Sequence, residues 1–178
     1  MPKFKLRLDL KLELGFVTLY RIERLSNKEL GGYVEKESNL DQSGNAWVSG
    51  NAQVYGDARV YGNAWVYGNA RVYGNAWISG NAQVYGNAWV YGDARVYGNA
   101  QVKSITEIIN IIIAFKFSIT VTPDNIVIGC QLKKRSEWLK VTEEQAEKMG
   151  LPKEMYPHYR QLTKAAMKLV PRRKKGEK

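Results

Sequence analysis

Cysteine and histidine are nearly absent from this chain, and no stretch of it is apolar for long. The single cysteine among 178 residues, Cys130, excludes an internal disulfide and leaves no zinc-type spacing; it is expected to be a small buried residue. The single histidine, His158, leaves no Ser/His/Asp set, and no phosphate loop or His/Cys cluster is recognisable. The longest apolar run, Ile108 to Phe115, is interrupted by Asn110 and falls far short of the roughly 20 residues that cross a bilayer. Met1 to Leu10 alternates charge with leucine instead of forming the apolar segment of a signal peptide. These absences point to a cytoplasmic, non-enzymatic protein with no cofactor, no metal and no membrane partner.

What the chain does have is a repeat. From Gly44 to Lys103 a six-residue unit, Gly-Asn/Asp-Ala-x-Val/Ile-Tyr/Ser, recurs ten times without a gap. Ala and Val stand two apart, as in Ala58-Arg59-Val60, so in an extended strand both point to one face while Arg59 and Tyr61 point to the other. Each Gly-Asn is a corner, because Gly adopts positive φ freely and Asn enters that region more cheaply than other residues. A helix would need a 3.6-residue period and few glycines. Short strands turning every six residues, with small apolar side chains always inward, describe a solenoid.

This repeat resembles the hexapeptide-repeat left-handed β-helix, in which three units make one triangular coil of about eighteen residues. The resemblance implies a mainly β fold, with a left-handed parallel β-helix of about three coils over residues 44–103; the patterns on either side add an N-terminal β cap over residues 1–43, a C-terminal hairpin with helices over 104–170 and a basic tail over 171–178. It also sets the outward columns. Tyr55, Tyr73 and Tyr91 stack beside Gln53, Arg71 and Trp89; Trp47, Trp65, Gln83 and Gln101 form a second face; Arg59, Trp77 and Arg95 form a third beside Tyr61, Ser79 and Tyr97. Trp77 is expected between two guanidiniums, and Asn75 between Asp57 and Asp93. Such ladders either hold the rungs together or present a rigid aromatic and arginine surface to a flat or sugar-like ligand or to a protein.

Before the repeats, Phe4, Leu6, Leu8, Leu10, Leu12 and Leu14 alternate with Lys5, Arg7, Asp9, Lys11 and Glu13, the period-two pattern of a half-buried strand. Gly15 offers a turn and Phe16 to Leu25 a returning strand. The segment Leu19-Tyr20-Arg21-Ile22-Glu23, followed by Leu30-Gly31-Gly32-Tyr33-Val34-Glu35 and Asn39-Leu40, is similar to the entry region of uncharacterised hexapeptide-repeat proteins of bacteria and their prophages. That resemblance implies a phage or prophage origin.

After Lys103, the run Ile105 to Ile113 reads as strand, with a capping box at Ser104 and Glu107 as the helical alternative. Phe117 to Val121 and Asn125 to Cys130 form a hairpin around Pro123-Asp124. The Ile-Gly-Cys with Trp138 is again similar to the prophage proteins, although Lys133-Lys134-Arg135 stand where those relatives often carry a histidine. Thr142-Glu143-Glu144-Gln145 opens a helix closed by Gly150. A second helix runs from Pro157 to about Val170, with Tyr159, Leu162, Ala166 and Leu169 as its apolar stripe.

Charge is placed unevenly. Of the net +10, residues 103–178 supply +8, while the repeats are almost neutral. Attraction to nucleic acid or to an acidic partner should therefore centre on Lys133, Lys134, Arg135, Arg160, Lys164, Arg172, Arg173, Lys174 and Lys175. Arg59 and Arg95 are expected to be offset by Asp57 and Asp93. The solenoid faces (Arg59, Trp77 and Arg95; Tyr55, Tyr73 and Tyr91) are the second candidate surface. The expected function is that of a phage binding protein engaging a host protein, a nucleic acid or a nucleoprotein such as a defence complex. The alternative is a self-associating structural or virion-assembly protein, a homo-oligomer through its solenoid faces or ends. Acyltransfer, known among hexapeptide-repeat enzymes that use a histidine base, is the remote alternative, since His158 lies outside the repeats.

Overall fold

The structure, a computed structural model, describes residues 1–104, 108–111 and 117–172. The chain is mainly β and divides into two compact units, Met1–Ile105 and Thr106–Lys178.

The first unit opens with three antiparallel strands, β1 (Phe4–Glu13), β2 (Thr18–Arg24) and β3 (Leu30–Val34). The repeats then supply ten short strands: β4 (Trp47–Val48), β5 (Gln53–Val54), β6 (Arg59–Val60), β7 (Trp65–Val66), β8 (Arg71–Val72), β9 (Trp77–Ile78), β10 (Gln83–Asn87), β11 (Trp89–Val90), β12 (Arg95–Val96) and β13 (Gln101–Ser104). Each pairs in parallel with the strand eighteen residues away, as in Gln53 with Arg71 and Arg71 with Trp89. Three sheets result, β1-β2-β3-β5-β8-β11, β4-β7-β10-β13 and β6-β9-β12. The solenoid makes about four turns, because segments before the repeats fill a rung of their own: Tyr33-Val34 pairs with Gln53-Val54, and Leu40 bridges to Val60.

The inward positions are those of the pattern. Ala58, Val60, Ala64, Val66, Ala70 and Val72 are all at most 1% exposed. The corners differ in one respect from expectation. All ten repeat glycines have φ between 63° and 73°, but no asparagine has positive φ. At Gly74 a Cβ would lie 2.9 Å from the amide nitrogen of Gly92, so glycine supplies both the conformation and the close approach. Asparagine instead links the rungs: the Asn45 amide donates to Asn63 at 3.0 Å, Asn63 to Asn81 at 3.2 Å and Asn81 to Asn99 at 3.1 Å.

The N-terminal strands close the open end. Ile22 packs so tightly on Gly31 that a Cβ there would meet Ile22 Cγ1 at 2.4 Å and the Val48 carbonyl at 2.6 Å, which accounts for Gly31. The Gln42 amide accepts from the backbone of Lys3 at 2.8 Å and Phe4 at 3.2 Å, and donates to the Phe4 carbonyl. Lys3 Nζ donates to the Ala46 carbonyl at 2.9 Å, and burial lowers its pKa. Trp47 is buried in this region beneath the Arg24 guanidinium, 4.0 Å from the ring. The β1–β2 hairpin is less covered than a half-buried strand would be: Leu8 is 68% and Phe16 88% exposed.

The second unit carries an antiparallel sheet of β14 (Ile109–Ile111), β15 (Ile119–Val121), β16 (Asn125–Ile128) and β17 (Gln131–Lys134), in that order. The isoleucine run thus includes a strand; the capping-box alternative rests on Glu107, outside the described residues. Three helices follow: α1 (Arg135–Trp138), α2 (Glu143–Lys148) and α3 (Tyr156–Leu169). The Thr142 hydroxyl accepts from the Gln145 amide and the Gln145 side chain from Thr142, the expected capping box. The core joins Ile119, Val121, Ile126 and Ile128 to Val141, Ala146, Leu151 and Tyr159. Two expectations are corrected. Cys130 is exposed, because it stands in the tight turn after Gly129, whose φ is 58°. Of the expected stripe of α3, Tyr159 and Ala166 are buried and Leu162 packs half-buried against the core, but Leu169 is 70% exposed, and Thr163 and Val170 are buried beside them. Among the described residues, no helix is long and apolar enough to cross a membrane.

Candidate interaction surfaces

The basic residues of the second unit separate into one anchor and one ridge. Arg135 is 4% exposed, and its guanidinium donates to the carbonyls of Pro123 at 3.2 Å, Val170 at 2.8 Å and Met167. It holds the C-terminal end of α3 against the β15–β16 turn, where its charge meets the negative end of the helix. Burial, with Arg172 nearby, pushes its pKa down. Arg135 is thus a structural anchor and not the solvent-facing phosphate ligand expected; the local sequence looks like any basic run, and only the fold turns this member inward. Lys134 is exposed and Lys133 half-buried.

The ridge lies on α3. Arg160, Lys164 and Lys168 are all exposed and stand four residues apart, each about 6 Å along the axis from the last. Arg172 follows just beyond the helix. Arg160 is steadied by Tyr156, whose hydroxyl accepts from its Nη1 at 3.0 Å. Lys164, Lys168 and Arg172, with Leu139, Met167 and the buried Arg135, line an open recess of about 440 Å³ whose wall, among the described residues, carries no carboxylate. Lys168 is not among the expected binding residues, though its spacing from Lys164 marks it. Arg173, Lys174 and Lys175 lie outside the described residues.

On the solenoid the tyrosine column forms as expected. Tyr55 and Tyr73 stack at 5.0 Å with rings 4° apart, and Tyr73 and Tyr91 at 5.3 Å and 11°; burial raises the hydroxyl pKa of Tyr55 and Tyr73. The third face departs from expectation. Arg95 lies over Trp77 at 5.3 Å, but in place of a second guanidinium the ring of Tyr61 meets Trp77 edge-on at 6.0 Å and 84°. Tyr61 has Ser79, not a tyrosine, on the next rung, so it cannot stack within its column and turns to the tryptophan instead. Asp57 pairs with Lys36 Nζ at 2.9 Å, which holds its carboxyl below the usual range, with Arg59 contributing less. Asn75 donates to Asp93 at 3.0 Å.

Arg59, Tyr61 and the 39%-exposed Trp77 also line a recess of about 610 Å³ with Glu37 and Asp41. Those carboxylates carry no local sequence signal. They share the recess with Arg59 where Leu40 joins the rung of Val60.

The YdcK beta-solenoid repeat, a family model, matches this chain at residues 52–68, 64–80, 82–98 and 88–103. The matches fall within the repeats and agree with the sheet pairing there; they touch neither the N-terminal hairpin nor the second unit. No curated protein matches the chain.

Proposed function

We propose that this is a non-enzymatic binding protein of phage or prophage origin, its solenoid a left-handed helix of the hexapeptide class, which engages a polyanionic host macromolecule through the basic ridge of its second unit. The macromolecule is a nucleic acid or a nucleoprotein, such as a defence complex, in the host cytoplasm. One observation carries the reading: Lys164, Lys168 and Arg172 converge on one open recess with no carboxylate in its wall among the described residues. Cations gathered without acidic partners release bound counterions when they meet phosphate, which gives salt-dependent and largely sequence-independent affinity. The prophage origin rests on the similarity of the entry segment around Leu30-Gly31-Gly32-Tyr33. A self-associating role is the second reading, favoured by the exposed Leu8 of β1.

The test is the affinity for a nucleic-acid duplex, measured against salt. Lys164→Ala/Lys168→Ala/Arg172→Ala should weaken binding similarly across sequences and flatten the slope of log affinity on log salt by about one for each phosphate no longer neutralised. An unchanged slope, with a collapse on replacing Arg59, Arg71 and Arg95, would move the site to the solenoid faces. Absence of binding at every salt concentration would overturn the polyanion reading.

A further inference from the structure

We infer that the recess beside Trp77 on the sheet β6-β9-β12 is a carbohydrate site, which holds one gluco-configured pyranose residue of a neutral oligosaccharide. The sheet gains one more step where Leu40 bridges to Val60, and the 3-10 turn Glu37–Asn39 stands just before that bridge. It brings Glu37, Ser38 and Asp41 to the recess that Arg59, Tyr61 and Trp77 line from the repeats. The volume of about 610 Å³ falls in the range of small-molecule sites, roughly 300–1,000 Å³.

The lining combines apolar surface with unused polar capacity. Trp77 is 39% exposed and Tyr61 meets it edge-on at 84°, so two ring planes stand nearly at right angles in one recess. Leu40 and Val60 add apolar lining. Asp41 accepts from the Ser43 amide at 3.0 Å and from its hydroxyl at 2.8 Å, which orients the carboxylate and leaves it further lone pairs. Among the described residues, neither the Glu37 carboxylate nor the Arg59 guanidinium forms an ion pair or a side-chain hydrogen bond. Asp57, two residues from Arg59, is taken by Lys36 at 2.9 Å. Gln42 is occupied by the backbone of Lys3 and Phe4 and contributes only wall.

These groups select the ligand by what each alternative would leave unpaired. A polyanion would set its charge against Glu37 and Asp41. A cation would meet Arg59 in the recess and Arg95 over the Trp77 ring at 5.3 Å. A wholly apolar molecule would strip water from the carboxylates and the guanidinium without replacing it. A neutral polyhydroxyl ring avoids all three conflicts, because its hydroxyls donate to the carboxylates and accept from the guanidinium while a face of C–H groups lies on the indole. In a β-gluco pyranose every substituent is equatorial, so both faces are free of hydroxyls and all the hydroxyls point outward in the ring plane. An axial hydroxyl would stand between sugar and indole. The recess is open, so neighbouring residues of the oligosaccharide can continue into solvent.

The experiment is isothermal titration calorimetry of the full chain with cellotetraose and with its N-acetylated counterpart chitotetraose, each at low and high salt. At least one should bind, with an affinity that salt does not change, since the ligand carries no charge to screen. Trp77→Ala should lower that affinity about ten-fold or more, and Glu37→Gln several-fold through loss of a charge-assisted acceptor. Trp65→Ala removes a 48%-exposed indole from a different sheet and should leave the affinity unchanged. Circular dichroism is the folding control, and Glu37→Gln, at an exposed position outside the repeats, keeps the test decisive should Trp77→Ala unfold. Failure of both sugars to bind at their highest soluble concentration would overturn the assignment. So would binding that survives both Trp77→Ala and Glu37→Gln, an equal loss on Trp65→Ala, or an affinity that falls as salt rises. The inference is independent of polyanion binding by the second unit, and duplex affinity of the Glu37→Gln variant reports on that reading separately.

Discussion

At the scale of single residues, the ten-fold repetition of asparagine or aspartate after glycine serves the ladder and not the corner. Glycine alone takes the positive φ, while Asn63 receives from Asn45 and donates to Asn81. Asn63→Ala should therefore cost about 1–2 kcal/mol, two exposed amide bonds at their usual net worth. Asn63→Gly should cost at least as much, although a residue needed for its left-handed conformation would tolerate glycine well. Thermal unfolding of the two variants decides between these roles. An aspartate at the same position can accept from below but cannot donate above, so Asn63→Asp should fall between wild type and Ala. The chain itself uses this allowance at Asp93, which accepts from Asn75.

At the scale of elements, the β1–β2 hairpin is held on its polar face by Glu23, 5% exposed and contacted by Arg7 Nη1 at 2.6 Å and Lys5 Nζ at 3.3 Å. The hydrogen bond from Arg7 keeps the Glu23 carboxyl below its ordinary pKa, against the opposing effect of desolvation. A carboxylate depressed in the folded state stabilises fully above its unfolded pKa and ceases to do so as pH falls through the folded value. The hairpin should therefore loosen on acidification below the ordinary glutamate range. Glu23→Gln should lower stability at neutral pH and flatten the acid limb of a Tm-against-pH curve; a parallel, merely displaced curve would assign the acid sensitivity elsewhere. How far such elements can be read in advance depends on where their determinants lie. The inward Ala and Val and the stacked tyrosines repeat with the glycines, so their register follows from the spacing. The first rung does not, since Tyr33-Val34 and Leu40 lie outside the period and join it only through pairing. The buried stripe of α3 keeps Tyr159, Leu162 and Ala166 of the expected one and departs only at its end, where Leu169 is exposed and Val170, whose carbonyl Arg135 holds, is buried. The ridge of Arg160, Lys164 and Lys168 is legible from the four-residue spacing; that Lys164 and Lys168 share one recess with Arg172 is not.

At the scale of the whole solenoid, the repeats are close to a one-dimensional stack, each rung bonded to the rungs eighteen residues before and after it. Stability in such a stack is nearly a sum of rung and neighbour contributions. Duplicating eighteen residues within the repeats should leave the fold intact and shift Tm by only a few degrees, with the stacked tyrosine column lengthened by one ring. Duplicating six residues should be far more disruptive. Every side chain downstream would move to the next face, Tyr73 would leave the column of Tyr55, and the last rung would present a different sheet to Lys103. Thermal melts and tyrosine fluorescence of the two insertions separate the cases. The same arithmetic bears on how such a gene changes over generations. Slippage during replication adds or deletes the short near-identical units readily, yet only changes in threes return a protein with its faces in order. Length is then free to drift in steps of one full coil, roughly 4.8 Å of rise each, while the decoration of each face is inherited intact.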